Sequence, residues 1–152
     1  MDISKDWLDF LQLLLNHKVR FVVVGGHAVG AHGLPRYTKD LDIFVDRSPE
    51  NAQCVRLALV EFMGDDPSFD IKNLQDPKKI TVLGTPPNRI DILTSIAGVS
   101  FEQTFDNHVL IQFDKLTLPF IGYKELIANK KAAGRPQDLA DVSQLEQRQK
   151  DI

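Results

Sequence analysis

Apolar residues recur in two rhythms along this chain. Ile3, Trp7, Phe10, Leu11, Leu14 and Leu15 return every three or four positions, the spacing of an amphipathic helix. His17 and Lys18 follow it, and their positive character suits a helix C-terminus. The rhythm then shortens. Phe21–Val24 is a short apolar β-branched run that stops at Gly25-Gly26 and makes Arg20–Val24 a predicted strand, and Asp40-Leu41-Asp42-Ile43-Phe44-Val45 begins in strict alternation. Between them, His27–His32 has the small residues of a short helix, and Gly33-Leu34-Pro35-Arg36 marks a turn.

The same reading continues downstream. Ser48-Pro49 is an N-cap and first-turn pair, opening a helix with Ala52, Val55, Leu59 and Phe62 on one face. Gly64 to Pro77 is polar and reads as a connection. Ile80–Leu83 and Arg89–Leu93 are predicted strands joined by Gly84-Thr85-Pro86-Pro87. Phe101–Phe105 forms a short helix or turn. His108–Phe113 and Leu116–Leu118 suit a hairpin across Asp114-Lys115. Tyr123–Ala133 is helical, with Gly134 as its stop. Pro136 starts a last helix bearing Leu139, Val142 and Leu145, and Glu146–Ile152 is expected to fray. This order implies an α/β (α+β) domain, a central mixed β-sheet with helices packed on it.

Composition adds bounds. With 152 residues the chain is expected to be one domain, its C-terminal helices from about residue 122 packing on the rest. An apolar fraction of 43% and a charged fraction of 26% are those of an ordinary globular protein. The net charge of −3 gives no global basic field for non-specific nucleic-acid binding. No apolar run approaches a membrane span, and the N-terminus is unlike a secretory signal. Cys54 is the single cysteine, which leaves no intrachain disulfide or cysteine-based zinc site and fits a reducing, cytoplasmic setting.

Candidate chemistry concentrates between Gly25 and Asp42. Glycines at a strand-to-helix turn let a phosphate approach the backbone. Strand side chains alternate, so Asp40 and Asp42 share one face while Leu41 and Ile43 point to a core. Two like charges there repel unless a cation offsets them, and hard carboxylate oxygens suit a divalent ion. Taken singly, each feature has a plain reading: an Asp-x-Asp pair is a solvated strand face, and a Gly-Gly pair is a turn. His27 and His32 read as surface residues within reach of a phosphate. Asp138 and Asp141 read as helix-end charges that pair with Lys130 or Arg135.

Gly25-Gly26, a short helix and Asp40-x-Asp42 between apolar residues resemble the pattern of the DNA-polymerase-β-like nucleotidyltransferase superfamily. Arg36-x-Thr38-x-Asp40-x-Asp42, Leu126–Lys130 and Gly134–Asp141 are similar to the branch of bacterial proteins related to AbiEii-type toxins. The resemblance covers roughly residues 20 to 145, and His27 stands where many members carry a small hydroxylated residue.

The resemblance implies the nucleotidyltransferase fold and a third carboxylate, which Asp91 in Asn88–Leu93 supplies. It implies transfer of an NMP from an NTP such as ATP to a hydroxyl, with Asp40, Asp42 and Asp91 as catalytic residues. These would bind two divalent ions, expected to be Mg²⁺. Gly25 and Gly26 would cradle the triphosphate. Arg36, Thr38, Lys130 and Arg135 are the further nucleotide-binding candidates. The acceptor stays open between a small molecule, a tRNA end and a protein hydroxyl. The alternative is a catalytically silent nucleotide-binding or toxin–antitoxin interaction module. A homodimer and a toxin–antitoxin pair are the assemblies under consideration, without a membrane.

Overall fold

The computed structural model describes residues 4–151, so Ile3 and Ile152 of the sequence reading lie outside the described residues. In chain order the elements are α1 (Lys5–Asn16), β1 (Phe21–Val24), α2 (Gly25–Ala31), β2 (Asp40–Val45) and α3 (Pro49–Met63). A 3₁₀ turn (Pro67–Phe69) follows, then α4 (Ile71–Gln75), β3 (Ile80–Leu83) and β4 (Arg89–Leu93). The chain ends with α5 (Phe101–Asp106), β5 (Val109–Phe113), β6 (Leu116–Phe120), α6 (Tyr123–Ala133) and α7 (Pro136–Lys150). The six strands form one mixed sheet in the order β3-β4-β2-β1-β6-β5. This is the mixed α/β architecture that the order of elements implies.

Local chemistry explains most boundaries. Ser48 accepts from the Asn51 amide at 3.3 Å, Pro49 fills the first turn of α3, and Gly64 closes it at φ +85°. Gly134 ends α6 in the left-handed conformation at φ +68°, which costs a glycine little. The pleat puts Leu41 and Ile43 of β2, and Ile90 and Ile92 of β4, into the core, and leaves Asp40, Asp42, Arg89 and Asp91 on the opposite face. On the core side α1 buries Trp7, Phe10, Leu11 and Leu14. Trp7 also donates its indole N–H to the Arg89 carbonyl at 3.2 Å.

Register positions the site. β1 and β2 run antiparallel with Val24 opposite Asp42, and β2 and β4 run parallel with Asp42 opposite Asp91. Asp42 therefore lies between the end of β1, where α2 begins, and the third carboxylate.

Several expectations need correction. α2 starts at Gly25 itself, with no turn between strand and helix. The polar stretch after Gly64 is ordered into a 3₁₀ turn and α4, because Asp66 and Asp70 accept from the amides of Ser68 and Lys72. β6 runs on through Pro119 to Phe120, which pairs with Val23. The C-terminal segment does not fray at Glu146: α7 continues to Lys150. Arg148 packs on Gly33, where a Cβ would fall 1.9 Å from Arg148 Nε.

Candidate active site: three carboxylates beside a charged latch

Asp42 is the pivot of the site. Gly25 has φ +72°, and a Cβ there would fall 2.1 Å from Asp42 Oδ2, so only glycine lets the carboxylate lie against the start of α2. Gly26 makes room for Thr38 in the same way: its missing Cβ would be 2.9 Å from Thr38 Oγ1 and 3.6 Å from Arg36 Cδ. The two glycines thus pack directly against side chains of this chain's own site.

Asp91 stands within hydrogen-bonding reach of Asp42. Burial, then the charges of Asp91 and Asp40, push the Asp42 carboxyl up to about 6. Asp40 Oδ1 and Thr38 Oγ1 are buried without any hydrogen-bond partner. An orphaned carboxylate oxygen and a carboxyl strained by its neighbours fit a hard divalent cation, which would satisfy the first and relieve the second. Asp91 is differently placed. Arg89 grips it from two residues away, Nε to Oδ1 at 2.7 Å and Nη2 to Oδ2 at 3.2 Å. Among the described residues no three acidic, histidine or cysteine side chains stand ready as a ligand set, and this grip on Asp91 is consistent with that.

A second charged group adjoins the first. Lys130, almost fully buried, contacts Asp138 at 3.3 Å and Asp141 at 3.0 Å. Arg36 donates twice to Asp141, and Gln137 donates to it at 2.9 Å. Arg135 holds Asp138 through Nε at 2.7 Å and Nη2 at 3.2 Å, while its side chain stays 77% exposed. Burial pushes Asp141 up, yet the bonds from Arg36, Lys130 and Gln137 together hold it below the usual carboxylate range. The bonds from Arg135 and Lys130 hold Asp138 down despite its burial. Three cations against two carboxylates leave an excess of positive charge, and Arg135 is near enough to Asp42 to feel its charge.

Asp42 and Asp91 therefore meet at one register position with Asp40 on the same sheet face, and Gly25, Gly26, Arg36 and Thr38 lie beside Asp42 and the start of α2. Lys130 and Arg135 sit in the latch beside them, paired with Asp138 and Asp141 as their spacing suggests. Two partners escaped the sequence reading. One is Arg89, whose place two residues before Asp91 on one strand face is itself a legible signal. The other is the Arg36–Asp141 pair, which spans 105 residues and leaves no local trace. His27 is also not a surface residue. It is buried between Trp7 and Phe113, edge-on to both rings, and burial lowers it to about 4, so the imidazole is neutral. His32 joins the Ile121 carbonyl through Nε2 at 2.8 Å.

A family model described as "Nucleotidyl transferase of unknown function (DUF2204)" matches residues 4–151. No curated protein matches the chain. No helix among the described residues is long and apolar enough to cross a membrane.

Proposed function

Since the chain belongs to this nucleotidyl transferase family, we propose that it moves an NMP from an NTP to a hydroxyl acceptor with the help of divalent ions, expected to be Mg²⁺. The observation that carries the reading is the convergence of Asp42 and Asp91 at one register position, beside Asp40 and its orphaned oxygen. Asp40 and Asp42 would hold the nucleotide's ion, and Asp91 would share in holding the second. Bound there, the ions supply positive charge to the entering and leaving oxygens of an in-line displacement. Gly25, Gly26, Thr38 and the cationic excess around Arg135 would receive the triphosphate, and the acidic face would receive its ions.

Asp91 would help deprotonate the attacking hydroxyl, with Arg89 fixing the carboxylate's orientation. The oxygen–phosphorus bond forms at the α-phosphorus as the bond to pyrophosphate breaks. The motifs around Arg36 and Gly134–Asp141 favour the AbiEii-like branch. A small alcohol, a tRNA end and a protein hydroxyl are the acceptor classes in play.

One observation favours the second reading, a silent nucleotide-binding or toxin–antitoxin module: both oxygens of Asp91 are engaged by Arg89. Asp91→Asn separates the two. For an enzyme, titration should show most Mg²⁺–NTP affinity retained while pyrophosphate release with acceptor falls at least a hundredfold. Release that is equal in both proteins and no faster than an enzyme-free control favours the silent module.

A further inference from the structure

A groove of about 320 Å³ opens between α2 and the β5–β6 hairpin. This is the small end of the usual range for ligand pockets, roughly 300–1,000 Å³, and suits one ring system. Its walls include Ala31, Phe113 and Phe120, and His27 and Arg36 also line it. Two observations indicate that it is built to be filled. His27 is 4% exposed and its Nε2 has no partner, in a protein where buried polar atoms are ordinarily satisfied. Gly30 lies within α2, where glycine is less favourable than alanine. Yet a Cβ at Gly30 would meet nothing within 4 Å, so no packing demand explains it. Its missing side chain keeps the groove open.

We infer that this groove receives the nucleobase of the NTP, with a ring nitrogen of His27 reading the base edge. The inference rests on the nucleotide reading above. Arg36 connects the two regions, because it lines the groove and approaches Gly26 at the start of α2. Phosphates received at the site would thus leave a base within reach of the groove. A nucleobase is flat, uncharged and apolar on its faces, matching Phe113, Phe120 and Ala31. Its edge carries the donors and acceptors that a neutral imidazole can satisfy. Gln112, Asp114 and Arg36 also line the groove and offer polar groups to the base edge.

The test is calorimetry with Mg²⁺ on wild type, Gly30→Leu and His27→Phe, using the four NTPs and inorganic tripolyphosphate. Wild type should bind its preferred NTP at least tenfold tighter than tripolyphosphate. Gly30→Leu should abolish that advantage while leaving tripolyphosphate affinity unchanged. His27→Phe keeps an aromatic ring but no nitrogen, and should bring the affinities of the four NTPs to within about twofold of one another. Wild-type ratios in both variants, or equal losses of NTP and tripolyphosphate, overturn the base site and leave the nucleotide reading intact. Wild type that binds neither ligand overturns both.

Discussion

Arg36 and Asp141 are joined by two hydrogen bonds across 105 residues of chain, tying the loop before β2 to the last helix. Asp141 also carries Lys130, which is itself nearly excluded from water. Removing one partner of a buried pair strands the other charge at about 3–5 kcal/mol. Asp141→Ala leaves Lys130 its contact with Asp138 and frees a partly exposed Arg36, so it should cost no more than the lower end of that range, about 3 kcal/mol, in urea unfolding. Arg36→Ala should cost less, because Lys130 still pairs with Asp141 and Arg36 is partly exposed. Equal losses in the two variants would show that the latch does not work as a buried network.

The crowding of carboxylates predicts an unusual pH response. Asp42 titrates near 6 in the fold against 3.8 in the unfolded chain. Its contribution is fully favourable below the unfolded value and is lost as pH rises through 6. In metal-free buffer at pH 7.5, Asp42→Asn should be more stable than wild type by about 2–3 kcal/mol, and the gap should close near pH 4. His27 works in the opposite direction: its folded value near 4 lies below 6.5, so its contribution is full above 6.5 and fades as pH falls through 4. It is present in both proteins and drops out of their difference. Mg²⁺ should raise the melting temperature of wild type far more than that of the variant. A pH-independent gap would refute the assignment.

Three glycines of one short helix should behave in three ways. Gly25→Ala combines a positive φ with a clash against Asp42 and should cost at least about 2 kcal/mol, displacing the carboxylate and weakening Mg²⁺ binding. Gly26→Ala presses on Thr38 and should cost about 1–2 kcal/mol. Gly30→Ala should stabilise by about 0.5–1 kcal/mol, as propensity alone would have it. Denaturant titration of the three settles the order.

The sequence was most informative where the chain's local rules and its packing agree. Asp40–Val45, Ile80–Leu83, Arg89–Leu93 and Tyr123–Ala133 have the limits that alternation, periodicity and Gly134 indicate. It was least informative where a distant partner decides. α7 runs past Glu146 to meet the turn at Gly33, which no local pattern announces. β6 passes through Pro119, a residue that argues against a strand between two others. Yet Val23–Phe120 is the pairing with β1, so the missing N–H costs little. α4 is too short to show a period and stands on a single Asp cap. In the site, the carboxylates could be read because their spacing on strands fixes which face they share. The partners of Arg36 and the burial of His27 could not, since both depend on elements brought together only by the sheet order.

The latch also sets an order of events during synthesis. Strands β1, β2 and β4 are complete by Leu93, so a nascent chain holds all three carboxylates long before it is finished. Asp141 emerges almost fifty residues later, and only then does Arg36 gain the anchor that steadies the loop carrying Thr38. The chain up to Leu93 holds the acidic face together with Arg36 and Arg89, and lacks Lys130, Arg135, Asp138 and Asp141. The loop before β2 is thus tied down by a helix that lies more than a hundred residues further along the chain.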